Sequence, residues 1–151
     1  MAISQDSRES IPYGNNRGAA IIGGQGDTSG PGPEIMAADT LAGDDVYSTT
    51  GEKLGTIDHI MLDVAQGRIA YAVLSHGGVL GMGEKLHAIP WSALTLDADR
   101  KCFVLDIDKE RLQASEGFDK DHWPSFADAR WAADVHAIYG REPYWWDPRT
   151  H

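Results

Sequence analysis

With 151 residues and a mass of 16.4 kDa, the chain is long enough for one domain with tails, or two very small ones, and for a core without covalent staples. Thirteen Lys and Arg against 23 Asp and Glu leave a formal charge of −10, and with acidic residues in excess in every part of the chain this excludes nucleic acid as the expected partner, because such binding depends on neutralising phosphates. Cys102 is the one cysteine, which excludes an internal disulfide and any cysteine-based zinc site.

A single thiol suits a reducing compartment. The opening Met1-Ala2-Ile3-Ser4-Gln5-Asp6 has neither the basic nor the apolar region of a signal peptide. The longest uncharged run, Ile69 to Gly83, contains four glycines and is too short to cross a hydrocarbon layer of about 30 Å. The expectation is a soluble cytoplasmic protein with no membrane insertion.

Residues 1–40 carry seven of the 17 glycines and three of the seven prolines, and only Ala19-Ala20-Ile21-Ile22 interrupts their polarity. Such a segment buries too little apolar area to offset its ordering entropy, so by itself it is expected to be a flexible arm. A neighbouring surface would be needed to order it.

Residues 41–108 change to short β-type runs. In Lys53 to Val64, the residues Ile60, Leu62 and Val64 alternate with Met61 and Asp63, and a phase slip at Asp58-His59 suggests a bulge. Ala65-Gln66-Gly67-Arg68 is a turn, with glycine where positive φ is required. Ile69, Tyr71 and Val73 then line one strand face and Ala70, Ala72 and Leu74 the other, the pattern of a strand buried on both sides. Further strands are expected over Lys85 to Trp91, Leu94 to Asp97 and Cys102 to Ile107. Short strands at this spacing with no helices between them predict a small barrel or sandwich. Its predicted core is Leu62, Val64, Ile69, Tyr71, Val73, Leu86, Phe103, Leu105 and Ile107.

Residues 109–151 form a tail with a different period. Ser125-Phe126-Ala127-Asp128 has the form of a capping box, Ala127, Trp131, Val135, Ile138 and Tyr139 follow helical spacing, and Gly140 stands where a C′ glycine belongs. One amphipathic helix packed on the barrel is predicted.

The run 51-GEKLGTIDHIMLDVAQGRIAYAVLS-75, followed by 77-GGVLGMGEKLHAIPWSAL-94, resembles the PRC-barrel family, named for the cytoplasmic domain of the H subunit of the purple-bacterial photosynthetic reaction centre. The tail 118-FDKDHWPSFADARWAADVHAIYGREPYWW-146 is similar to that of free-standing bacterial members. The resemblance implies a mainly β fold, a small PRC-type barrel with a C-terminal helix. It also implies a non-catalytic adaptor that holds other proteins together, since the fold has no shared catalytic site. The fold also occurs in a ribosome maturation factor, which makes an accessory factor contacting ribosomal protein the alternative; an enzyme with an unrecognised site is the other.

No constellation of catalytic residues emerges from the sequence. The Gly77–Gly83 stretch has Glu84 where a phosphate-binding loop needs lysine, and a strand rather than a helix follows, so it reads as a wide hairpin. His59, His76, His87, His122 and His136 lack metal-ligand spacing and read as surface or interfacial histidines. Neither a cofactor nor a metal is expected. The aromatic residues are more informative: all five tryptophans follow residue 90, and Trp145 and Trp146 are adjacent, so one wall cannot bury both. Trp131 has the alternative reading of helix-face core. Val79, Leu80, Met82, Trp131, Tyr144, Trp145 and Trp146 are the candidate contacts with a protein partner or a second copy, in a homodimer or larger assembly. A monomer whose tail folds back over the barrel opening is the competing arrangement.

Overall fold

Apolar alternation between Asp45 and Leu105 folds into one curved sheet whose concave side holds the main core. The computed structural model describes residues 18–24, 34–77 and 84–143. In chain order the strands are β1 (Ala20–Ile22), β2 (Asp45–Ser48), β3 (Lys53–Asp63), β4 (Arg68–Gly77), β5 (Glu84–Pro90), β6 (Leu94–Asp97) and β7 (Cys102–Leu105). They form a seven-stranded sheet in the order β1-β6-β7-β2-β3-β4-β5. The β1–β6 and β2–β7 pairs are parallel and the remaining neighbours antiparallel. A 3-10 turn, Trp91–Ala93, joins β5 to β6, and the helices are α1 (Ala38–Leu41), α2 (Lys109–Ala114) and α3 (Ala129–Ile138). The fold is mainly β with a C-terminal helix, as the sequence predicts.

Val46, Ile57, Leu74, Ile89, Leu94, Phe103 and Leu105, from six different strands, meet in one cluster with Leu112 of α2. Side chains from both ends of the sheet converge there, so the sheet has to curl. β4 is buried on both faces: Tyr71, Ala72, Val73 and Leu74 are all at 1% exposure or less. Leu86 and Ile107 are buried as well, whereas Ile69 is only half-buried.

Two core expectations are corrected. Leu62 is 62% exposed and Val64 88%. The register shift between Ile57 and His59 is the bulge the sequence suggested, but a second one lies between Met61 and Leu62. Ile60 packs on the main core and Met61 on a second cluster across the sheet; beyond them the alternation breaks at the second shift, and the hairpin end runs out past the packed elements. Gly67 turns this hairpin with φ of 68°, which only glycine adopts without penalty.

The apolar break in the N-terminal segment, Ala20–Ile22, is strand β1 at the sheet edge. It is held by the Ala98 N–H donating to the Ile22 carbonyl at 2.8 Å and the Gly24 N–H donating to Asp99 Oδ1 at 2.9 Å.

Helix α2 went unpredicted. Asp108 caps it by accepting the Arg111 N–H at 2.7 Å, and it buries Leu112 completely. The start of α3 also differs from expectation. Its N-cap is Asp128, whose carboxylate accepts the N–H groups of Arg130 at 2.9 Å and Trp131 at 3.3 Å, while Ser125 closes a preceding turn. A charged acceptor at a helix N-terminus also meets the positive end of the helix dipole, which a serine hydroxyl cannot do as well. Ala127 is therefore exposed and outside the helix. At the other end Gly140 is the C′ residue with φ of 66°, as predicted. Asp128→Ala should lower stability by about 1 kcal/mol in urea unfolding, and Ser125→Ala should cost clearly less; equal losses would return the cap to Ser125.

Candidate functional site

The outer edge of β5 is closed by a strap from the tail. Leu86 and Phe118 exchange backbone hydrogen bonds at 2.8 and 2.9 Å. At Gly117 a Cβ would come within 2.5 Å of the Leu86 carbonyl oxygen, so the strap lies too close for any larger residue. Past the strap the chain returns as α3 over the convex face of β4 and β5. There Ala70, Tyr71, Ala88 and Ala132 form a second core with Met61, Phe118, Phe126, Trp131 and Val135 packed around it. Its rings meet edge-on or tilted, with Phe126 at 4.5 Å from Trp131 and at 5.4 Å from Tyr71. Such pairs add to the stabilisation that burial alone provides.

Two histidines are buried here, which corrects the surface reading: His87 is 2% exposed and His136 1%. His76 and His87 stack with ring centroids 4.8 Å apart, their Nε2 atoms separated by 2.8 Å. Ser115 Oγ donates its only proton to the Leu112 carbonyl at 2.7 Å and lies 3.3 Å from His87 Nδ1. That assigns the tautomers: His87 donates from Nδ1 to Ser115 Oγ, and its Nε2 accepts from the Nε2–H of His76. Burial, then His76 and Lys85, push the His87 pKa down to about 4. Burial, followed by Lys85 and Lys109, also lowers that of His76. His136 donates from Nδ1 to the Ala132 carbonyl at 2.7 Å, and its pKa too is lowered by burial.

Between β5, the strap and α3 opens a cleft of about 340 Å³. Phe118, Trp131, Val135 and Tyr139 give it apolar and aromatic walls, His87 and Ser115 also line it, and Glu116 and Asp134 contribute carboxylates. Burial raises the Tyr139 hydroxyl well above the ordinary tyrosine range, so this ring stays neutral. A serine beside a histidine invites comparison with a nucleophile–base pair. The Ser115 proton is directed to a backbone carbonyl, the second His87 nitrogen meets His76 rather than a carboxylate, and a base with pKa of about 4 is far from optimal near neutrality. The arrangement is suited to binding. Among the described residues no group of three or more His, Cys, Asp and Glu is placed to hold a metal ion, and no helix is long and apolar enough to cross a membrane.

Of the predicted contact residues, Trp131 is half-buried, packs on Tyr71 and Phe126, and lines the cleft. Val79, Leu80, Met82, Tyr144, Trp145 and Trp146 lie outside the described residues. The sequence reading placed His87 at a surface or interface and did not single out Glu116 or Asp134. For His87 a signal existed: it sits inside Leu86-His87-Ala88-Ile89, a run too apolar for a solvent-facing histidine.

Sheet order, the two-sided β4 and the C-terminal cover define a small β module with a packed interior. The PRC-barrel domain model matches residues 33–112, and the chain belongs to the PRC-barrel family. Among solved structures it is similar to the crystal structure of a putative 16S ribosomal RNA processing protein RimM from Pseudomonas aeruginosa, with 20% identity and a TM-score of 0.33. That match covers 59% of this chain and 50% of the other, so it spans half the length of that protein. No curated protein matches.

Proposed function

We propose that this chain is a non-catalytic assembly module that holds another protein chain, either a second copy of itself or a member of a larger complex. The observation that carries this is the hairpin end of β3 and β4, where Leu62 and Val64 stand 62% and 88% exposed beside a well-packed sheet. Two apolar side chains this exposed, two positions apart at one hairpin end, offer a contact that a partner chain would cover. The adaptor role implied by the family resemblance supports the same reading, and a formal charge of −10 favours a protein partner over nucleic acid.

Self-association is the first contact to test. Light scattering over a dilution series should give a mass above 16.4 kDa, and Leu62→Asp with Val64→Asp should return the chain to that mass at the same concentrations. A parent chain that stays monomeric at high concentration removes self-association. Replacing Val79, Leu80 and Met82, or Trp145 and Trp146, in the same assay tests those proposed contacts.

A further inference from the structure

Glu116 and Asp134 are the only formally charged side chains among the described residues lining the cleft between β5, the strap and α3, apart from its two histidines. One of these, His87, is held neutral by its place between His76 and Ser115. The other, His122, is turned through Nδ1 onto Asp119 at 2.8 Å. Two cations stand at the rim and both are turned onto backbone carbonyls: Lys85 donates to Ser115 and Gln113 at 3.0 and 3.4 Å, and Arg111 donates from Nη2 to Ile138 at 3.4 Å. The cleft therefore combines aromatic walls with negative charge and has no lysine or arginine of its own.

We propose that this cleft receives an arginine side chain from a basic segment of a partner protein, its guanidinium lying among the rings of Phe118, Trp131 and Tyr139 and paired with Glu116 and Asp134. The inference rests on the interaction-module reading and adds the partner's chemistry. A guanidinium is planar, weakly hydrated for a cation and stacks on aromatic faces while donating hydrogen bonds at its edge. Each property has a counterpart in the cleft. An anionic ligand would face two carboxylates while the cations at the rim, Lys85 and Arg111, are turned onto backbone carbonyls, and a wholly apolar one would desolvate those carboxylates without pairing them. The volume, about 340 Å³, falls at the small end of ligand pockets and suits one long side chain better than a cofactor. The charge of −10 over the whole chain would draw a basic segment towards the surface and raise its association rate at low salt.

The test uses the full chain and a dye-labelled peptide of glycine and serine carrying two arginines, with a matched peptide in which citrulline replaces both. Citrulline keeps the shape and removes the charge. Anisotropy should show the arginine peptide binding about tenfold more tightly than the citrulline peptide, and Glu116→Gln with Asp134→Asn should remove about tenfold of that affinity. Both carboxylates belong to exposed residues, so the double variant should unfold at the same urea concentration as the parent. The Trp131 indole resonance should shift with the arginine peptide alone. Equal affinity for the two peptides, or undiminished binding by the folded double variant, overturns the inference. A chain that self-associates through its hairpin end yet takes up no arginine peptide also overturns it, and leaves the module reading standing.

Discussion

Phe103→Ala should lower the unfolding free energy by about 3–5 kcal/mol, the largest single loss expected in the chain. Phe103 is completely buried on β7, paired with Val46 of β2 on one side and Leu96 of β6 on the other. Its ring meets Trp91 edge-on at 5.7 Å. Removing the ring leaves a void that the neighbouring strands cannot close, because both are fixed to β7 by ladder hydrogen bonds. The cost therefore includes the unfilled cavity as well as the lost transfer energy. Leu62→Ala, also a truncation of a large apolar side chain but at the exposed hairpin end, should change stability by less than about 0.5 kcal/mol in the monomer. Urea unfolding of both variants checks this, and a loss below about 1 kcal/mol for Phe103→Ala would mean that the β7 contacts are not the centre of the core.

Acidification should weaken the fold as the pH falls from about 6.5 towards about 4. The window comes from His87, whose pKa of about 4 in the folded chain lies below its ordinary value of 6.5. Between those limits the unfolded chain binds the proton and the folded chain does not, so protons favour unfolding. The stability is complete above pH 6.5 and is lost as the pH drops through the window. His76 and His136 act in the same sense, both lowered chiefly by burial. Asp44 acts in the opposite sense, its carboxyl raised by burial and by Asp45, so the comparison must be made between variants. His87→Gln should be less stable than the parent at pH 7 yet lose less on going to pH 4.5, by on the order of 2 kcal/mol after allowance for solvent screening at the open side of the cleft. Urea midpoints at the two pH values measure this. A variant with the parent's pH slope would show that His87 is not protonated on unfolding.

The His76–His87–Ser115 chain also gives the tail cover a polar anchor. Apolar packing of α3 on Tyr71 and Ala88 is tolerant of small displacements. Hydrogen bonds that fix two tautomers and a serine rotamer are not. The strap from 115 to 118 therefore sits in one register on β5, which sets the spacing of the cleft walls and the position of Glu116.

Residues that interact with near neighbours in the chain were legible from the sequence. Alternation in Ile69 to Leu74 identified β4 and its burial on both faces, because side-chain period is a backbone property. Gly67 and Gly140 marked a turn and a helix end, because positive φ is a local requirement. The slip at Asp58-His59 marked the first bulge. The PRC-barrel resemblance followed from the same local signals occurring in order. Only the tertiary structure decided the fate of Leu62 and Val64, since an alternating pattern says which residues share a face and not whether anything covers that face. It also decided that Asp128 rather than Ser125 caps α3, a competition between two acceptors three positions apart in which the charged one bonds the first N–H groups of the helix. Above all it placed His87, Glu116 and Asp134 on one cleft. They come from a strand, a strap and a helix far apart in the chain, and no spacing rule connects residues whose neighbourhood exists only after the tail has folded back across the sheet.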